Sequence, residues 1–439
     1  MIELHEARRR IAEQCMPLPA TPVAAPLAVG HQLAQDVFSD VDSPPHDKSL
    51  VDGYALQSAD LRERSASSLA SADGAEDADS FVEFVVNEEV VAGGIPTLPV
   101  QSGTATRIMT GAPLPIGADA VVMLEQTQCP SGGQRVRVPE TPLPAGQHVL
   151  RRAACISRGQ KVLPQGHAVR GVDVGLLCEV GTSRVMVVPQ PRVAVLATGD
   201  ELVGADDIPG LGQIRNSNGP MLVAVAQPEA AEVHDLGIAP DSHLGLSRLI
   251  ARGLEYDVLI LSGGVSAGVR DLVPQVLQEQ GVSQRFHKIR LRPGKPFWFG
   301  TYEKRPASSP AEPTARTLVF GLPGNPVSAL VCFELLVRPA LRAVAGKTTS
   351  WDDSPCHRVA EMAHSFSLRG ERLTYYPAKI TATAAAAGAA HQALPHLSVV
   401  AWQGSADLHA LSRANALARF PAGEQNYAAG DRVEYIELQ

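Results

Sequence analysis

The stretch that most constrains this chain is Tyr256–Asp271, YDVLILSGGVSAGVRD. Val258, Leu259, Ile260 and Leu261 form an unbroken apolar run, which suits a strand buried on both faces of a parallel sheet. The run stops at Ser262, Gly263 and Gly264, where the backbone can turn tightly and approach a ligand closely. Ser266, Gly268 and Asp271 follow, and a helix is expected from about Leu272 to Gln280, with Pro274 in its first turn. Strand, glycine loop and helix N-terminus together offer backbone N–H donors to an anion. The same residues also fit an ordinary tight βα loop with Asp271 as N-cap, so this stretch constrains fold more than chemistry.

The flanking sequence repeats the pattern. PRVAVLATGDEL, from Pro191, reads as a strand and a polar loop. A helix (about Gly219 to Gln227), a strand (Glu232 to Leu236) and a helix (about Ser242 to Gly253) lead to the central run. Alternating strands and helices imply βαβ units and a mostly parallel sheet, with ligands beyond the strand carboxyl ends. Asp200-Glu201, Asp241 and Asp271 all fall at such ends. In HKIRLRPGKPFWFG, Lys288, Arg290 and Arg292 are spaced by two and would share one face of a strand. Pro293-Gly294 then turns the chain and delivers Lys295. A basic strand face is commonly just solvated, but beside an anion-ready loop these cations point to an oxyanion or phosphate site. GLPGNPVSAL is again strand, turn and helix, with Asn325 as N-cap and Pro326 at the first helical position.

At 439 residues the chain has room for several domains of roughly 100–200 residues. Hydrophobic residues at 45% and charged residues at 19% describe a core-forming globular protein. A net charge of −8 argues against a nucleic-acid binder with a wholly basic surface, though not against a local basic pocket. The six cysteines are scattered with no C-x-x-C pair, which disfavours a zinc or disulfide framework and fits a reducing cytosol. MIELHEARRRIAEQC lacks a signal-peptide core, and no apolar run approaches the ~20 residues that span a bilayer, so a cytoplasmic protein without membrane contact is expected.

Leu4, Ala7, Ile11 and Cys15 mark one face of an N-terminal helix that should dock on another domain. Proline-rich sequence from Pro17 to Pro26 makes a connector. FVEFVV, TATRIM, AVVMLE and RVRV read as strands of a small β-rich domain, interrupted early by the Ser/Ala/Asp-rich stretch Arg62–Ser80, read as a silent surface insertion. Glu303–Arg316 looks like an excursion between two strands. Beyond Gly346, HRVAEMA, RLTYYPAKITAT, LSVVAW, ALARF and DRVEYIEL suggest a terminal β-domain resembling a barrel. The expected division is 1–16 as docking helix, 17–45 with 140–172 as linker or elongated domain, and 46–139 as β-rich domain. The remainder is 173–345 as a three-layer α/β domain and 346–439 as the terminal β-domain.

SLVDGYA, RIMTGAPLP, VAVLATGDEL, LILSGGVSAGVRD, LRPGKPFWFG and FGLPGNPVSA occur in that order, followed by LHALSRANALARFP and AAGDRVEY. This series resembles the bacterial molybdopterin molybdenumtransferases called MoeA, relatives of the gephyrin E domain. The resemblance implies an elongated four-domain chain that forms a homodimer. It implies insertion of molybdate into adenylylated molybdopterin, with release of AMP and use of Mg²⁺. It assigns catalytic roles to Asp52, Glu201, Asp271 and Lys295, and metal ligation to Asp241 and Asp271. Thr110, Thr198, Gly199, Ser262, Gly263, Gly264, Ser266, Gly268, Arg292, Lys295, Pro323 and Asn325 would bind the pterin nucleotide. Asp52 and Thr110 would come from the other subunit, and transient contact with other cofactor-biosynthesis proteins is implied. The chain departs from the family pattern after Arg151-Arg152, where Ala153-Ala154-Cys155 replaces the usual Gly-Glu-Asp, and at Asn216, where Asp is common. The lost carboxylate keeps open a binding homologue with weak turnover. A molybdopterin adenylyltransferase-like enzyme on the same α/β domain is the other alternative.

Overall fold

The computed structural model describes residues 1–61, 80–130, 133–265, 272–304, 316–347, 351, 357–381 and 394–438. The chain falls into two compact units, one of residues 1–23, 28–34 and 186–439, the other of 24–27 and 35–185.

The first unit is built on a six-stranded sheet in the order Glu232–Ala239, Arg192–Thr198, Val258–Ser262, Arg316–Leu322, Trp298–Glu303, Ser283–His287. The first four strands are mutually parallel, and Trp298–Glu303 runs against both its neighbours. Val258–Ser262 sits inside the sheet, as its unbroken apolar run requires. Val258 and Ile260 enter one core, with Leu222, Val327 and Leu336; Leu259 and Leu261 enter the other, with Leu246, Ile250 and Val276. Helices therefore cover both faces, giving the expected three layers. The N-terminal helix Leu4–Ala12 buries Leu4, Ala7 and Ile11 in the first of these cores. Ile2 anchors it, bridging to Ile289 through hydrogen bonds with the Lys288 carbonyl (3.2 Å) and the Arg290 amide (2.8 Å).

Arg316–Leu322 pairs with Trp298–Glu303 in antiparallel register, Glu303 opposite Arg316, and these two form an ion pair at 2.6 Å. The excursion between them, 305–315, lies outside the described residues, as does 62–79. The expected basic strand is broken at Lys288. Ser283–His287 ends there, Lys288 adopts φ +70°, and only Leu291–Arg292 resumes extended pairing, now with Leu373–Thr374. Arg290 is turned to Glu3 (3.1 Å), so the cations do not share one face. The helix after the glycine loop is Val273–Glu279 with Leu272 at the N-cap position, one residue later than a cap at Asp271 would give.

A buried ionic cluster joins two helices of this unit. Glu229 follows the Asn218–Ala226 helix, in the 3₁₀ turn Gln227–Glu229, and is 3% exposed. Its carboxylate meets Arg342 at 2.6 Å, Arg338 at 3.3 Å and Lys347 at 3.3 Å, while Arg338 also pairs with Glu334 at 2.7 Å.

The C-terminal strands form the expected barrel. Leu373–Thr381, His396–Val399, Arg358–Met362, Arg432–Glu437 and Ala416–Phe420 pair in that order, and Ala416–Phe420 closes on Leu373–Thr381. Closure leaves no free edge among these five strands. Ala360, Leu397, Ala416, Ala418 and Phe420 fill its interior.

The second unit carries a five-stranded sheet in the order Ala120–Met123, Gly53–Leu56, Thr104–Ile108, Phe81–Val90, Arg135–Pro139; four of these are the expected strands, and Gly53–Leu56 is one not expected from the sequence. Gly53 is the one residue its place allows, because a Cβ there would lie 1.9 Å from the Val122 carbonyl oxygen. Around Arg151, ion pairs run from Arg151 to Asp47 (2.6 Å) and from Arg152 to Asp42 (2.6 Å). The turn that follows puts Ala153 at φ +59°, a left-handed conformation that costs an L-residue roughly 1–2 kcal/mol. Ala153→Gly removes that strain but adds unfolded-chain entropy. A net gain of about 0.5–1 kcal/mol is expected, read as a raised urea midpoint with unchanged m-value. A lowered midpoint would show the turn to be unstrained.

Candidate active site

The sheet order reverses between Arg192–Thr198 and Val258–Ser262, because the chain leaves the first towards Glu232–Ala239 and returns on the other side. Ligands of open α/β sheets bind beyond the strand carboxyl ends at such a point. The two loops there are Thr198-Gly199-Asp200-Glu201 and Ser262-Gly263-Gly264.

Both loops need their glycines. Gly263 has φ +92°, and a Cβ on it would approach the Thr198 carbonyl oxygen to 2.6 Å. Gly264 has φ +63°, and a Cβ there would meet Val273 Cγ2 at 2.6 Å and Thr198 Oγ1 at 2.7 Å. Thr198 Oγ1 is buried under this loop with no hydrogen-bond partner among the described residues. Asn218 ties the loop ends together, donating from Nδ2 to Ser262 Oγ (2.8 Å) and to the Gly324 carbonyl (2.7 Å). At the neighbouring tips, the Asp241 amide donates to Asp200 Oδ1 (2.9 Å) and the Asp200 amide approaches Asp241 Oδ2 (3.4 Å). Glu201 folds back so that its carboxylate lies beside Gly199.

A cavity of about 1060 Å³ opens over these loops. Of the expected site residues, Thr198, Gly199, Glu201, Asp241, Ser262, Gly263, Gly264, Arg292, Lys295, Pro323 and Asn325 all line it. Ser266, Gly268 and Asp271 lie outside the described residues. Asp52 and Thr110 belong to the second unit, where the Thr110 amide and hydroxyl both donate to Asp52 Oδ1 (2.7 and 2.6 Å). Those two bonds, the hydroxyl's first, hold the exposed Asp52 carboxyl below the usual carboxylate range.

Lys295 reaches the cavity from a turn whose Gly294 (φ +121°) packs so closely on Cys332 that a Cβ would lie 2.6 Å from its Sγ. Arg292 is held by the pairing of Leu291–Arg292 with Leu373–Thr374. Asn325 stands at the N-cap of Pro326–Cys332 but makes no capping bond; its Nδ2 donates to Ser405 Oγ at 2.8 Å. Its role is to fasten the barrel-side loop to the cavity rim.

Four further lining residues were not legible. Arg372 donates to the Leu291 carbonyl (3.0 Å), and Trp402 and Ser405 also come from the C-terminal region. Arg215 donates Nε to the Asp207 carbonyl (2.9 Å) and has no ion pair among the described residues. The alternation of RLTYY pointed to a strand, but nothing local marked its first arginine as a cavity residue. Among the described lining groups, Arg215, Arg292, Lys295 and Arg372 face only Glu201 and Asp241, a balance that suits an anionic ligand.

No three His, Cys, Asp or Glu side chains cluster as metal ligands among the described residues. The Asp200 and Asp241 carboxylates do stand at adjoining loop tips, each facing the other residue's backbone amide. Mg²⁺ is commonly bound by one or two carboxylates plus waters and ligand phosphates, so this donor set fits it.

Three family models tile the chain: "MoeA N-terminal region (domain I and II)" over 2–181, "Probable molybdopterin binding domain" over 194–343 and "MoeA C-terminal region (domain IV)" over 359–438. A molybdopterin molybdenumtransferase of Staphylococcus aureus is 30% identical over 99% of this chain and 95% of its own length. The chain belongs to the MoeA family. Another molybdopterin molybdenumtransferase, from a Nostoc species, is 32% identical over 94% of this chain and 87% of its own. A crystal structure of a molybdopterin biosynthesis MoeA protein from Pyrococcus horikoshii matches all of this chain and 99% of its own, with TM-score 0.77 and 27% identity. The cavity of this MoeA-family chain lies wholly within the stretch from Thr198 to Leu408, across its second and third matched regions.

Proposed function

We propose that this chain is a molybdopterin molybdenumtransferase, inserting molybdate into adenylylated molybdopterin and releasing AMP in molybdenum cofactor biosynthesis. The observation that carries the reading is the cavity itself, where a glycine loop and a set of cations converge at the sheet's reversal point. Both substrates are anions. Arg292, Lys295 and Arg372 bind and orient their oxygens, while Gly263 and Gly264 let a phosphate approach the backbone. Glu201, in the cavity lining, would accept a proton from the water that cleaves the phosphoanhydride. Asp241, with Asp271 and the neighbouring Asp200, would hold Mg²⁺, which polarises a phosphoryl oxygen when bound. Ser262, Thr198, Pro323 and Asn325 shape the pterin nucleotide's seat.

We further propose a homodimer, as the family membership supports, with the exposed and ionised Asp52 and its partner Thr110 serving the cavity of a second copy. A cytoplasmic location is supported by the thiols of Cys15, Cys129, Cys155, Cys178 and Cys332, all free, as a reducing compartment would keep them. No helix among the described residues is long and apolar enough to cross a membrane.

The departure at Ala153-Ala154-Cys155 favours a second reading, a binding homologue with little turnover. Incubation with adenylylated molybdopterin, Mg²⁺ and molybdate separates the two. Molybdate-dependent AMP release is expected. Tight binding without AMP release would leave the carrier reading in its place.

A further inference from the structure

Trp402 is one wall of the cavity and has no part in the anion chemistry assigned above. It is the outer member of an aromatic series that begins inside the barrel. Phe420 is fully buried and packs on Phe366 (5.1 Å between centroids). Phe366 meets Tyr376 edge-on at 5.3 Å, and Tyr376 meets Trp402 edge-on at 5.1 Å and 64°. Trp402 is half-buried, packed on the main core while the rest of its ring lines the cavity. Tyr376 edge-on against it, together with its packing on the core, restrains its orientation and leaves less side-chain freedom to lose on binding.

Its surroundings are open on one side and charged on another. Gly404, two residues on, also lines the cavity; a Cβ added there would meet nothing within 4 Å. Arg292, held by its strand pairing with Leu373–Thr374, lines the same cavity, and Arg372 shares that lining. A flat apolar surface beside two guanidinium groups matches a ligand with a planar ring and an anionic tail. A tryptophan whose only task was core filling would have no need to face a water-accessible cavity with empty space next to it.

We propose that Trp402 is a stacking platform for a planar heterocyclic ring of the substrate, whose phosphate is then within reach of Arg292 and Arg372. The proposal rests on the reading that the cavity takes adenylylated molybdopterin, which carries an adenine, a planar bicycle, and a reduced pterin whose pyrimidinone part is flat. Stacking contributes to binding of either ring through its π-face, so the chemistry is shared and the source is an experimental matter.

The test is calorimetric titration of the parent, Trp402→Leu and Trp402→Phe with unsubstituted pterin, with AMP, and with molybdate as a ring-free control. Trp402→Leu should weaken one or both rings by about 5- to 100-fold, Trp402→Phe by no more than about threefold, and molybdate affinity should hold. Loss for pterin alone places the pterin on Trp402; loss for AMP alone places the adenine there. A second measurement needs no disruptive variant. The bound ring should quench tryptophan emission in the parent and much less in Trp402→Phe, since Trp298 is only 1% exposed and Trp351, half-buried against the main core, is not part of the cavity lining. Ring affinities unchanged in Trp402→Leu, or equal losses for molybdate, would overturn the proposal while leaving the transferase reading standing. A parent that binds neither ring would overturn both.

Discussion

Lys295→Ala should lower molybdate-dependent AMP release by roughly 100-fold, or about 2.7 kcal/mol in the barrier, while moving the melting temperature by no more than about 2 °C. The two halves of that expectation come from different parts of the structure. Lys295 is exposed, its side chain makes no ion pair among the described residues, and it lines the cavity. Truncating it removes a charge from the anion's surroundings and takes nothing from the core. The turn that carries it is held elsewhere, by the close packing of Gly294 on Cys332 and by the bond from the Ile289 amide to the Lys295 carbonyl (3.1 Å). Single-turnover AMP release and a thermal melt on the same preparation check both. Activity within twofold of the parent would make Lys295 an ordinary solvated lysine.

Glu229→Ala is expected to do the reverse, costing about 3–5 kcal/mol of stability and lowering the melting temperature of its unit by roughly 6–20 °C. Glu229 sits under Arg338, Arg342 and Lys347; removing it leaves the buried Arg338 with Glu334 alone and takes the carboxylate from the partly exposed Arg342 and Lys347. Burial pushes its carboxyl pKa up, but the hydrogen bond from Arg342 and the charges of Arg342 and Lys347 outweigh it and hold the carboxyl below its ordinary 4.5. A depressed carboxylate contributes its stability above the unfolded value and loses it as pH falls through the folded one. The gap between parent and variant should therefore be full at neutral pH and narrow below about pH 4.5. Denaturation at pH 7 and at pH 3.5 measures it; a gap that widens in acid would show that Glu229 is not held as the carboxylate.

The parts of this molecule that were legible are those written in adjacent residues. An unbroken run such as VLIL can only be buried on both faces, and Gly263-Gly264 announced a turn that other side chains could not make. The barrel strands were readable because each is a short β-rich run. Lys288 was misread because spacing by two describes a strand only while the backbone stays extended, and nothing in the side chains reports a φ of +70°. Asn325 was rightly placed at the N-cap position, but its side-chain bond to Ser405 was not legible, since Ser405 is distant in sequence and brought near only by folding. Arg372 and Trp402 were missed for the same reason. Arg215 was hidden differently, by being one exposed arginine among many until its Nε bond to Asp207 fixed its place.

The pairing of Leu291–Arg292 with Leu373–Thr374 has a bearing on heredity. It is a splice of two residues by which one strand edge of the barrel becomes the mount for a cation of the α/β layer. The two regions are matched by separate family models, as though they were interchangeable modules. The splice says otherwise. A barrel borrowed from a relative would have to reproduce that edge's register, or Arg292 would arrive displaced by a residue and facing away. Recombination between members of such a family should then succeed when the exchanged segment carries both sides of the splice, and fail when the crossover falls between them.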